Sequence, residues 1–135
     1  MSKRGDLVAR AAEDLVGSPF KLNGRDPRLG IDCVGLVLCA LRHTGGDTIE
    51  PEPYKLRNLN IARQLRCIDV LELDSATGGI AAGDVMLFRL ASTQYHLGVV
   101  STKAALIHAH VGLRRVVASP LPIRWRIERH WRVRD

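Results

Sequence analysis

Cys33 is the residue around which chemistry can be built. It follows Asp32 where a turn-rich stretch, Asn23-Gly24-Arg25-Asp26-Pro27-Arg28-Leu29-Gly30, gives way to an apolar repeat. Cys33, Leu36, Val37, Ala40 and Leu41 recur at i, i+3, i+4, i+7 and i+8, the spacing of a helix with one buried face. Asp32 stands where an N-cap belongs. The thiol would then lie in the first helical turn, near unpaired backbone N–H groups and the positive end of the helix dipole. That setting favours the thiolate, which is the nucleophilic form. The alternative is a small buried apolar residue, a common fate of free cysteine.

A nucleophilic sulfur needs a base to manage its proton and a third group to orient the base. The chain has five histidines. His96 stands at a predicted strand start, and Gly98 two residues on permits close approach by another backbone or a substrate. His108 and His110 are two apart on a further predicted strand and share a face. Neighbouring strands could set His96 beside His108. The arrangement required is Cys33 on a helix N-terminus, facing a sheet that offers His96 backed by a second imidazole. The residues alone do not choose His108 over His110. His43 reads as a helix C-terminal residue favoured by the dipole, and His130 lies among arginines; neither is assigned a role. Cys33, His96, His108 and His110 also make up a four-ligand zinc set by residue type, without the close cysteine pairs of structural zinc sites.

The elements that must position these residues are legible from periodicity. Residues 6–16 read as a helix capped by Asp6, with Leu7, Val8, Ala11, Ala12 and Leu15 on one face. Gly17-Ser18-Pro19 ends it. A second helix runs over 33–43 and stops at Gly45-Gly46. Residues 50–54, with two prolines, are extended. A third helix is predicted over 58–68, and 70–73 is a short ambiguous run. After the glycine-rich 78–84 the pattern changes to strands at 85–90, 95–101, 104–110, 113–118 and 122–129, the last alternating apolar and charged residues. Helices first and strands later imply an α+β domain, N-terminal helices packed on a C-terminal antiparallel sheet.

Composition bounds the rest. The 135 residues, 46% of them hydrophobic, suit one domain spanning 1–135 with a real core. No apolar run approaches the roughly 20 residues that span a bilayer, so membrane insertion is not expected. The polar N-terminus leads into an amphipathic helix, not a signal sequence, and synthesis in the cytoplasm is expected. Three cysteines without a CxxC do not form a disulfide framework. Cys33 and Cys39, six apart on one helix, point about 240° apart and cannot bridge; Cys67 reads as a packing residue. The net charge of +6 is concentrated in the last quarter, where Arg124, Arg126, Arg129, Arg132 and Arg134 lie. That stretch reads as a solvated face. Few aromatics are interleaved with it, so a nucleic-acid partner is not indicated.

The order and spacing of several blocks resemble the NlpC/P60 cysteine peptidases, in particular the short cell-wall peptidases of phage-like tails and gene transfer agents. The blocks are Gly17-Ser18-Pro19-Phe20, Gly24-Arg25-Asp26-Pro27, Asp32-Cys33-Val34-Gly35-Leu36-Val37, Ala82-Gly83-Asp84-Val85-Met86-Leu87-Phe88-Arg89, Tyr95-His96-Leu97-Gly98-Val99, Leu106-Ile107-His108-Ala109-His110 and Val117-Ala118-Ser119-Pro120-Leu121. The resemblance implies a papain-like fold, Cys33 as nucleophile, His96 as general base and His108 as the orienting residue. It implies hydrolysis of peptidoglycan stem peptides, commonly at the γ-D-glutamyl–diamino-acid bond, with no metal or other cofactor. It also implies Phe20 and Asp32 near the substrate's amine. Two positions depart from the family pattern: Phe20 lacks the hydroxyl of a common tyrosine, and Val34 stands where serine is frequent, so neither side chain can hydrogen-bond. The implied partners are the wall peptide and the proteins of a phage-like tail that would carry the chain to the wall. The contrasting expectation is a tail-tip subunit that keeps the fold and little or no activity.

Overall fold

The computed structural model describes residues 3–46, 73–91 and 94–135. The predicted extended segment 50–54, the predicted helix 58–68, Cys67 and the run 70–72 lie outside the described residues. Two helices, α1 (Lys3–Asp14) and α2 (Cys33–His43), come first, separated by two short strands, β1 (Arg25–Asp26) and β2 (Gly30–Ile31). Six further strands follow: β3 (Leu73–Ser75), β4 (Val85–Ala91), β5 (Gln94–Val100), β6 (Ala105–His110), β7 (Arg115–Pro120) and β8 (Arg126–Val133). They form one antiparallel sheet in the order β3-β8-β4-β5-β6-β7. This is the predicted α+β architecture.

Both faces of the sheet are covered. Val85, Leu87, Leu97, Val99, Ile107, Ala109, Val116, Trp131 and Val133 point toward the helices and form the main core with them. α2 is buried nearly all round, as an apolar helix wedged between a sheet and a second helix must be. Fully buried side chains such as Leu36 each contribute roughly 1.5–3 kcal/mol. On the other face Met86, Phe88, Val100 and Leu106 form a smaller core, roofed by Leu121, Ile123 and Trp125.

That roof accounts for one departure from expectation. The alternation over 122–129 predicts a strand there, but the strand begins only at Arg126. The apolar residues at 121, 123 and 125 are instead spent on the smaller core. A bulge opposite Leu87 and Phe88 then shifts the register, and Ile127 turns outward, 53% exposed. The N-terminal helix also differs. It starts at Lys3, so Asp6 lies within the first turn and does not cap. At Gly83, φ +85, any Cβ would collide with the Gly5 carbonyl, so α1 and the turn before β4 approach at backbone distance, while the Gly83 N–H donates to Val100 O at 2.8 Å. The fourth strand begins at Arg115, not 113, because residues 111–114 form a longer turn in which the Leu113 N–H bonds the His110 ring at 3.0 Å.

The free edge of β7 pairs with 17–20, through Gly17 N–H to Val116 O and Phe20 N–H to Arg114 O, both 2.9 Å. At the opposite side Asp84 is fully buried and receives His130 Nε2 at 2.6 Å and the Arg132 guanidinium at 3.0 Å. Arg132 also donates to Gly79 O, tying the glycine-rich loop to β8. Removing one partner from such a buried cluster leaves the others uncompensated. Asp84→Ala should therefore lower stability by about 2–4 kcal/mol, seen as a lower urea midpoint at unchanged slope. A loss within 0.5 kcal/mol, the ordinary range of a surface substitution, would show that the cluster is dispensable.

Candidate active site

Asp32 builds the first half of the site. It has extended backbone geometry, φ −101 and ψ −170, and its Oδ1 accepts the Gly35 N–H at 2.9 Å, the expected N-cap. Its Oδ2 accepts the Asn23 N–H at 2.7 Å, and Arg25 Nη1 reaches Oδ1 at 3.1 Å. One carboxylate thus fastens the 23–26 loop to the start of α2. Gly35 completes the seat, because a Cβ there would run into the Gly24 carbonyl. With both oxygens engaged and only 2% exposure, Asp32 is first a structural clamp. Phe20, also expected near a substrate amine, is bridged to Ile31 and packs its ring against the main core.

Cys33 follows as the first residue of α2, partly accessible and not disulfide-bonded. Its sulfur meets the backbone of β5. The β5–β6 ladder holds only at Val99↔Ile107 and Val100↔Leu106. Leu97 lies beyond it, and its N–H, with those of Val34 and Cys33 itself, favours the charged form of the sulfur.

The histidines build the second half. His96 Nε2 and His108 Nδ1 are 3.0 Å apart, so the two rings span the strands where the ladder has ended. His108 Nε2 in turn meets Ser119 Oγ at 2.8 Å. Register explains the triplet: His108 pairs with Val117, so Ser119 is the diagonal neighbour on the same face. Trp125 stands edge-on to both rings, 5.6 Å from His96 and 5.3 Å from His108. His96 pairs with Phe88 and shares its face, so the rings lie on the side of the smaller core. The sulfur approaches from the helix side. Cys33 packs against the main core on the helix side, so the sulfur and the imidazoles belong to different faces of the sheet. Among the described residues, no direct hydrogen bond joins the Cys33 sulfur to the His96 ring, whose partner is His108.

The electrostatics correct a second expectation. Burial, followed by the Asp32 carboxylate, pushes the Cys33 thiol up to about 12, against the smaller opposing effect of the three N–H groups. The helix start does favour thiolate, but desolvation and a neighbouring negative charge outweigh it. Burial, then His108 and His110, lowers His96 to about 3. Burial, then His110, lowers His108 to about 4. At neutral pH the resting site is a thiol and two uncharged rings. His108, not His110, partners His96; His110 lies beyond, its ring 5.9 Å from that of His108. Among the described residues no group of three or more His, Cys, Asp or Glu side chains is arranged to hold a metal ion. Ser119 and Trp125 are additions that residue type did not single out. Strand alternation opposite His108 was the available signal for Ser119; Trp125 sits in a segment whose loop conformation hid it.

The model of the NlpC/P60 family matches residues 17–134, and the chain belongs to that family. No curated protein sequence matches it. Among solved structures it is similar to NlpC1 from Trichomonas vaginalis, with a TM-score of 0.74 at 17% identity over 98% of this chain and 46% of that one. The NlpC/p60 domain of the peptidoglycan hydrolase SagA gives 0.65 at 20% identity, over 96% of this chain and 98% of the other. RipD from Mycobacterium tuberculosis, described as a non-catalytic NlpC/p60 domain protein adapted to peptidoglycan binding, gives 0.61 at 14% identity over 99% and 98%. The chain spans about half the length of NlpC1 and of NlpC2 from the same organism.

A raised thiol has a kinetic signature. Only the thiolate is alkylated, so its fraction grows tenfold per pH unit up to about 12. Iodoacetamide modification of Cys33, mapped by peptide mass, should rise steadily from pH 6 to 10. A rate already level between pH 6 and 8 would mean a preformed thiolate and contradict the electrostatic account.

Proposed function

We propose that this NlpC/P60 chain is a cysteine peptidase of bacterial cell-wall peptides, in which Cys33 is the nucleophile, His96 the general base and His108 the orienting residue. The histidine pair is the observation that carries the reading. His96 is held through Nε2 by His108 at 3.0 Å, which leaves Nδ1 as its remaining nitrogen. The sulfur lies against the N–H of the very next residue, Leu97. A base pinned on one nitrogen beside a helix-start thiol is the constellation that nucleophilic acyl transfer needs.

The chemistry follows from the resting charge state. The thiol is not ionised in advance, so its proton leaves as the sulfur attacks the scissile carbonyl carbon. His96 Nδ1 takes that proton and passes it to the departing amine, and a thioester remains on Cys33. Water attacks the thioester, gives a proton to His96, and the acid departs as the thiol is restored. A lowered histidine is a reluctant base but, once charged, a strong acid toward the amine. The N–H groups of Cys33 and Val34 at the helix start are candidate donors to the developing oxyanion.

The finer reading names the γ-D-glutamyl–diamino-acid bond of a stem peptide as the target. Phe20 and Asp32 stand near its amine end, and a phage-like tail takes up the cytoplasmically made chain and delivers it. The sequence blocks support that part; no cofactor enters it. A second reading is a wall-peptide binder or tail-tip subunit with little activity. The protonated thiol favours it, and RipD is described as a non-catalytic domain of the same family.

Intact sacculi distinguish the two. Incubated with the purified chain, they should release cleaved muropeptides identifiable by mass, and Cys33→Ala should abolish release. Co-sedimentation with sacculi and no product from the intact chain would favour the binder.

A further inference from the structure

We infer that Ser119 is a positioning residue of the site, the hydrogen-bond acceptor that ends the His96–His108 chain. The inference rests on the proposed peptidase reading and extends it by one residue. Two atom pairs define the chain: His96 Nε2 with His108 Nδ1 at 3.0 Å, and His108 Nε2 with Ser119 Oγ at 2.8 Å.

Two proton arrangements fit these distances. In one, His96 Nε2–H donates to His108 Nδ1, and His108 Nε2–H donates to Ser119 Oγ. In the other, every donor is reversed: Ser119 O–H donates to His108 Nε2, His108 Nδ1–H donates to His96 Nε2, and His96 carries its proton on Nδ1. A neutral imidazole has one donor and one acceptor nitrogen, so no third arrangement satisfies both bonds.

Only the first arrangement lets His96 act. A base must present a bare nitrogen to the thiol, and with Nε2 engaged that nitrogen is Nδ1. The charged state imposes the same polarity. When His96 has taken the thiol proton, the pair shares one proton between the rings, and His108 Nε2 must carry another. Ser119 Oγ is then the acceptor for a partly cationic ring, a charge-assisted bond. Ser119 is half-buried, so its own proton can turn to solvent while its oxygen faces the ring. The His108 ring, 1% exposed, has no such freedom. Trp125 closes over both rings at 5.3–5.6 Å and holds them edge-on, which leaves the chain little room to reorganise.

The serine therefore keeps its acceptor role through the whole cycle, in the resting tautomer and in the charged pair. Its contribution is to the orientation of His108 and, through it, to the tautomer of His96. It touches no substrate.

The test reads the ring nitrogens directly. In the full chain labelled with 15N-histidine and assigned with single His→Gln variants, His96 Nδ1 should show an unprotonated shift. His96 Nε2 and His108 Nε2 should both show protonated shifts. An unprotonated His108 Nε2 would make Ser119 the donor and overturn the inference. A functional arm accompanies it: Ser119→Ala should reduce kcat/KM on sacculus-derived peptides about tenfold, one hydrogen bond's worth, and Ser119→Thr, which keeps the hydroxyl, should recover most of it. An alanine variant with unchanged kcat/KM would equally overturn it. Absence of hydrolysis by the unaltered chain would count against the peptidase reading, while the nitrogen shifts would still decide the role of Ser119.

Discussion

The Asp32 carboxylate is the constraint from which the rest of the site follows. It does three jobs with two oxygens: it caps α2 through Gly35, takes the Asn23 N–H and pairs with Arg25. These contacts fix where the helix begins, and the helix begins at Cys33. A cap alone stabilises a helix by about 1 kcal/mol. Here the same group also seats the 23–26 loop on α2, with Gly24 and Gly35 in backbone contact that no side chain could share. The sulfur therefore meets β5 at one height along the strand, opposite the Leu97 N–H. The cost is electrostatic. The charge that fixes the thiol's position is also the second cause of its raised proton affinity.

The opposite half of the site depends on an unfinished ladder. β6 and β7 pair along their length, but β5 and β6 pair only at two positions. Beyond these two positions, the His96–His108 side-chain contact bridges β5 to β6, and His108 is tied in turn to Ser119 on β7. On the face of the smaller core, Trp125 and Phe88 wall the imidazoles. Their burial also keeps both rings neutral. Position and protonation are therefore set by the same packing.

Much of this was readable in the residues, for local reasons. The 33–43 helix, its cap and its stop depend on neighbours within a turn, and they appear as expected. β4, β5 and β6 carry strong apolar runs and lie within a residue of the expected bounds. The family resemblance is matched by the family model over residues 17–134. What was not readable depends on contacts far apart in sequence. The thiol's proton affinity turns on burial against β5, which a helix-dipole argument omits. The seat of α1 involves Gly83, whose close approach to the Gly5 backbone comes from nearly eighty residues away in the chain. The stretch 122–129 carries a true alternation, but its first half serves a roof and its second half is re-phased by a bulge, so periodicity alone reads it as a single strand. Ser119 is an intermediate case: its place opposite His108 follows once the β6–β7 register is known, and the register is not local.

The account stands on the sulfur and the first imidazole meeting through the open ladder. A reagent with two reactive ends, 1,3-dibromoacetone, tests this in the folded chain. It should alkylate Cys33 first and then close onto His96 Nδ1, giving a single Cys33–His96 cross-linked peptide pair after digestion. Cys33 alkylated without a bridge, or bridged to any other histidine, would contradict it.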